Sequence, residues 1–102
     1  MSVDETAGAA QSEETAGLAQ VYYQVAPGIQ LNVRSGPGTS YSIVKVLPLN
    51  VRVPVNCQCP GTTVSGSYGT TNIWDNIGNG EFVSDAYVKT GSDGYIAPRC
   101  SL

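Results

Sequence analysis

Histidine is absent from the 102 residues. That removes the usual base of Ser-His and Cys-His nucleophile systems and the commonest metal ligand. Charge is scarce as well, at 13% of residues, and Met, Trp and Phe occur once each. No apolar run approaches the roughly 18 residues that a membrane-crossing helix needs. No stretch keeps a helical apolar period over several turns. The opening residues are acidic and polar, unlike a signal peptide, so an exported protein would be represented here by its mature form. There are only three cysteines, Cys57, Cys59 and Cys100. Without histidine, and with two of the three only two positions apart, they make a poor zinc site. We expect no metal and no cofactor.

What is plentiful is the material of turns and strands: 12 Gly, 6 Pro and 6 Tyr, with many β-branched residues. This composition predicts short strands joined by tight turns, in a chain long enough for one domain and a tail. Net charge is −3 but unevenly spread. Residues 1–20 carry Asp4, Glu5, Glu13 and Glu14 and no base. The rest sets five bases (Arg34, Lys45, Arg52, Lys89, Arg99) against four acids (Asp75, Glu81, Asp85, Asp93), a net +1. Such a body has no phosphate-binding footprint, so nucleic acid is not expected as a ligand.

Residues 1–20 are rich in Ala, Gly, Ser, Thr and Glu, with Glu5-Thr6-Ala7-Gly8 echoed by Glu14-Thr15-Ala16-Gly17. They read as a flexible acidic leader or linker, with too little apolar surface to pack. From residue 21 to 102 the sequence reads as a single β domain. Strands are expected over Val21–Val25, Leu31–Arg34, Ile43–Leu47, Val51–Cys57, Ile73–Ile77, Glu81–Ser84, Tyr87–Lys89 and Tyr95–Ala97. Gly78-Asn79-Gly80 is a hairpin turn in which Asn and Gly can both take positive φ. Residues 60–71 read as a long loop or a ragged hairpin. Pro54 lacks an amide hydrogen and belongs at an edge or a bulge. Cys57 and Cys59 share one face of a strand by the two-residue period, so either could reach Cys100. Closing such a loop stabilises a fold by ~4 kcal/mol in the chain-entropy picture.

The run Leu31-Asn32-Val33-Arg34-Ser35-Gly36-Pro37-Gly38-Thr39-Ser40-Tyr41 resembles the N(V/L)R-x-G-P-x-x-x-(Y/F) box of bacterial SH3-like (SH3b) domains. The later order is similar too: a Val-rich strand, the Trp74 strand, a Gly turn, Phe82-Val83, and a closing cysteine. The match runs from Val21 to Cys100 and is most like the subtype found in secreted actinobacterial and fungal proteins. It departs from the pattern at Asn50, where a Gly is usual in the turn; Asn tolerates the left-handed conformation. The resemblance implies an all-β, small SH3-like barrel of short antiparallel strands. It also implies a Cys57–Cys100 bridge with Cys59 left over, secretion, and attachment to cell-wall peptidoglycan or its peptides.

Catalysis is not expected. Asp75 and Asp85 form a conceivable carboxylate pair for glycoside cleavage, but Asp in strands and turns is ordinarily solvated or hydrogen-bonded. Sugar and peptide ligands favour aromatic platforms edged by amides and hydroxyls. The candidate binding residues are Asn32, Tyr41, Tyr68, Trp74 and Tyr87, with Tyr95 a further aromatic. Each aromatic has an ordinary alternative as core, Trp74 most of all. Arg34 reads as a clamp that folds onto loop carbonyls or a ring. A rival reading is a secreted protein-interaction or enzyme-inhibitor module using the 60–71 loop. A third is a targeting domain of a larger wall hydrolase.

Overall fold

The computed structural model describes residues 21–101, so the expected leader (1–20) lies outside the described residues. Seven strands follow in order: β1 Tyr22–Gln24, β2 Asn32–Arg34, β3 Ile43–Val46, β4 Arg52–Pro54, β5 Cys57–Gly66, β6 Gly69–Gly78 and β7 Glu81–Ser84. A short 3-10 helix, η1, closes the series at Asp85–Tyr87. β1 pairs with β4, and the other five form a sheet in the order β3-β2-β7-β6-β5. All ladders are antiparallel. The all-β expectation therefore holds.

Several sequence expectations need correction. Residues 60–71 are not a loop but the outer half of the long β5–β6 hairpin, which turns at Ser67-Tyr68 between Gly66 and Gly69. The Thr and Val residues there tolerate extended backbone. A register shift between Pro60 and Val64 absorbs the Pro-Gly pair as a bulge. The Val51–Cys57 run is two strands, broken at Val55-Asn56 so that β4 joins β1 and β5 joins β6. Tyr87–Lys89 is not a strand: the Ser84 side chain accepts a hydrogen bond from the Ala86 amide and caps η1, and only Val88 bridges, to Val25. Tyr95–Ala97 joins no ladder; the chain returns to the sheet at Arg99, which bridges to Gln58 in parallel. In the β6–β7 turn only Gly80 takes positive φ (+70°), not Asn79. Asn50 does take the left-handed form expected of it, with φ +60°.

Register assigns the two faces of the large sheet. Asp75 opposes Val83, while Trp74 opposes Ser84 and Asn76 opposes Phe82. Arg34 opposes Phe82, so Val33 shares the Val83 face. On that face Val33 and Val83 pack with Val25, Leu31, Leu47, Val53 and Val88 in the main core. On the other face Cys59, Trp74 and Phe82 form a second cluster, covered by Val64 and Cys100. Burying each such side chain is worth about 1.5–3 kcal/mol. β3 is different: all four of its residues are exposed, and it lies at the sheet edge.

Candidate functional site

The Gly-Pro box forms a loop over 35–42, closed by the Ser35 amide on the Ser42 carbonyl at 2.9 Å. Arg34 sits at its neck. Its Nη1 donates to the carbonyls of Thr39 and Tyr41, both at 3.1 Å, so the side chain is a clamp on loop carbonyls. The loop leans on the β5 bulge, where the Thr39 amide donates to Thr62 Oγ1 at 3.1 Å. Trp74 is held to the same bulge, its Nε1 donating to the Thr62 carbonyl at 2.8 Å.

Beside Trp74 the surface sinks into a groove of about 270 Å³. Residues 29–32 and Arg34 form one wall; Thr39, Val64, Ser84 and Tyr87 complete it around Trp74. Three of the sequence candidates, Asn32, Trp74 and Tyr87, thus meet in one concavity, brought there by β2, β6 and η1. Their exposures differ. Asn32 is open to solvent and Tyr87 is half-buried, whereas Trp74 is 2% exposed and forms the floor rather than an open platform. The Tyr87 ring lies over Gly66, where an added Cβ would come within 2.8 Å of its Cζ. Its hydroxyl donates to the Ser65 carbonyl at 3.5 Å.

Tyr41 and Tyr68 do not join this group. The Tyr41 ring covers Gly36, is 46% exposed, and does not line the groove. Tyr68 lies at the hairpin tip and borders a second cleft of about 570 Å³, between the hairpin residues 68–71 and the segment 88–93. Asp85 and Ala86 lie along the same cleft. Tyr95 is elsewhere, under the Arg99 guanidinium at 3.1 Å from the ring centre.

The two carboxylates are neither solvated nor open. Asp75 is fully buried and Asp85 is 6% exposed. Asp75 Oδ1 accepts from Gln58 Nε2 at 2.7 Å. Burial pushes the Asp75 carboxyl up to about 9, helped by the hydrogen bond with Asp85 and its charge; the Gln58 bond opposes this. Burial also raises Asp85, while its hydrogen bond with Asp75 acts the other way. Gln58, also wholly buried, carries this network, and the sequence reading missed it. The available signal was its position between two cysteines that face the opposite way, which turns Gln58 toward the main core.

Cys57 and Cys100 are bridged, with Cα atoms 4.9 Å apart, which resolves the pairing. Cys59 is a buried thiol, pushed up first by burial and then by the Asp75 charge. Among the described residues no group of three or more His, Cys, Asp or Glu is placed to hold a metal ion. Among them, too, no helix is long and apolar enough to cross a membrane.

No protein-family model matches the chain. Two proteins of Bacillus subtilis (strain 168) do. The uncharacterized protein YraI is 49% identical over 94 residues, spanning 82% of this chain and 79% of YraI. The uncharacterized protein YraJ is 47% identical over 94 residues, spanning 82% of this chain and 80% of YraJ. Identity at this level over most of both partners means that the chain belongs to the family of YraI and YraJ.

Proposed function

We propose that this protein is a non-catalytic, secreted binding module of the SH3-like type whose ligand is cell-wall peptidoglycan or its peptides. The observation that carries the reading is the meeting of Asn32, Trp74 and Tyr87 in one groove. A ring and an indole give apolar surface there, while Asn32, Ser84 and Thr39 edge it with amide and hydroxyl groups. Amide-bearing sugars and peptides need that mixture, because the apolar contact supplies affinity and the polar edge fixes orientation. The disulfide is compatible with an oxidising, extracellular setting. Absence of catalysis rests on chemistry: the chain has no histidine, and the unpaired oxygens of the Asp75–Asp85 pair are buried away from any substrate.

The test is sedimentation of the purified protein with insoluble peptidoglycan at low salt. We expect co-sedimentation, weakened at least threefold by Asn32→Ala and unchanged by Tyr41→Ala. Protein that stays in the supernatant would remove the wall-binding reading. Loss with Tyr41→Ala alone would move the site to the box loop.

A second reading is a protein-interaction or inhibitor module. It draws on β3, where Ile43, Val44 and Val46 are exposed at an open sheet edge with Leu49 exposed just beyond. Exposed apolar edges are points of strand pairing with another chain. Val44→Lys would abolish capture of a protein partner under this reading and leave peptidoglycan sedimentation unchanged under the first.

A further inference from the structure

Asp75 lies mid-way along β6 and Asp85 opens η1, and the two side chains are within hydrogen-bonding reach of each other. Each has one buried oxygen with no other partner, Asp75 Oδ2 and Asp85 Oδ1. Two ionised carboxylates in contact and out of water repel strongly, and neither has a donor to offer the other. A single proton cures both faults at once. With Asp75 Oδ1 taken up by Gln58, the free Oδ2 is the position for that proton.

The same network reaches the chain terminus. Gln58 Oε1 accepts from the amides of Ile96 and Ala97 at 2.7 and 3.0 Å. The Gln58 backbone binds the same strap, its amide donating to the Pro98 carbonyl at 2.8 Å and its carbonyl accepting from the Cys100 amide at 3.0 Å. On the other side, Asp85 borders the larger cleft. One carboxyl pair thus joins β6, η1, β5 and the 96–100 strap.

We propose that Asp75 and Asp85 share one proton, carried on Asp75 Oδ2 and donated to Asp85, and that this proton is a latch. It holds η1, a wall of the cleft, against β6. Removing it at alkaline pH loosens η1, while Gln58, whose donation to Asp75 is strengthened by the carboxylate charge, and the Cys57–Cys100 bridge keep the strap on β5. Gln58 faces the pair from β5, Cys59 lies on the opposite face of that strand within reach of the Asp75 charge, and Lys89 and Asp93 stand along the cleft that Asp85 borders.

The sign follows from proton counting. Above about pH 4 the unfolded chain has released this proton, while the native chain holds it until pH about 9. The latch's contribution is complete below the unfolded value, falls as pH rises, and is gone once the native pair ionises. Across that window the unfolding constant climbs by up to tenfold per pH unit. Because the chain has no histidine, pH 6–8 is free of imidazole titration.

The experiment is denaturant unfolding of the full chain at pH 6, 7 and 8, with carbon-13 titration of the Asp carboxyls from pH 3 to 10. We expect the unfolding constant of the wild type to rise at least tenfold from pH 6 to 8, and one Asp signal to remain protonated at pH 7. Asp75→Asn should be flat over that range, because its amide donates permanently to Asp85 and its oxygen still accepts from Gln58. A flat wild type, or Asp75→Asn with the wild-type slope, overturns the proposal. If Asp75→Asn does not fold, the carbon-13 data decide: every Asp ionised by pH 6 overturns it, and one Asp protonated at pH 7 supports it.

Discussion

Gly61 lies directly against Pro37. A Cβ added at Gly61 would overlap the Pro37 carbonyl oxygen and come within 2.8 Å of Trp74 Cδ1. The box loop and the β5 bulge therefore pack backbone to backbone, with the indole beside them, and only a residue without a side chain fits. Gly61→Ala is expected to cost about 1–3 kcal/mol through overpacking. Denaturant unfolding measures it, and a loss under 0.5 kcal/mol, within the range of ordinary surface substitutions, would mean that the loop shifts freely.

Gln58 satisfies three buried or half-buried groups with one side chain: Asp75 Oδ1 and the amides of Ile96 and Ala97. Gln58→Leu keeps the volume and strands all three. Each unmade bond costs roughly 1–3 kcal/mol, so a total near or above 3 kcal/mol is expected. Hydrogen exchange at the Ile96 and Ala97 amides should accelerate before global unfolding. Unchanged exchange there would show that the strap is held by other contacts.

Reduction of Cys57–Cys100 reopens a 43-residue separation, and the expected loss is ~4 kcal/mol. An unchanged melting temperature in reductant would argue against the bridge. In the oxidised native protein a thiol reagent should find no reactive group, and denaturation should expose one, Cys59. Two or more thiols after denaturation would contradict the pairing.

Arg34 grips two loop carbonyls through one nitrogen, Nη1. Lysine retains the charge but not the planar guanidinium that sets the donor's direction. Arg34→Lys is expected to lower stability by about 1 kcal/mol and Arg34→Ala by about 2 kcal/mol. Equal stability of Arg34→Lys and wild type would show that charge alone holds the loop.

Legibility in the sequence followed the range of the interactions. Turn chemistry is local, so Gly80 and the left-handed Asn50 could be read from neighbouring residues. Alternation over Leu31-Asn32-Val33-Arg34 likewise marks Leu31 and Val33 as core and Arg34 as the opposite face. The 60–71 segment was harder, because its Ser, Thr and Gly residues suit loop and strand alike. Pairing with β6 made it a strand. Tyr87 read as strand for a similar reason: its β-prone run was overridden by the Ser84 cap.

The candidate site divided along the same line. The sequence nominated five binding residues, but not that Asn32, Trp74 and Tyr87 share a groove while Tyr68 faces another cleft and Tyr41 neither. It offered Asp75 and Asp85 as a conceivable pair, but not that both are buried with Gln58.

By itself the sequence determined the all-β class, the main turns and the absence of imidazole chemistry. It also put Cys57 and Cys59 on one strand face. These depend on backbone preference and on a two-residue period, which act over a few positions. Only the tertiary structure decided that Cys57 rather than Cys59 joins Cys100, that three distant side chains border one groove, and that two acids share a buried corner with a glutamine. Those outcomes depend on register between strands far apart in the chain and on which polar groups lose water together, and neither is encoded in any short window of residues.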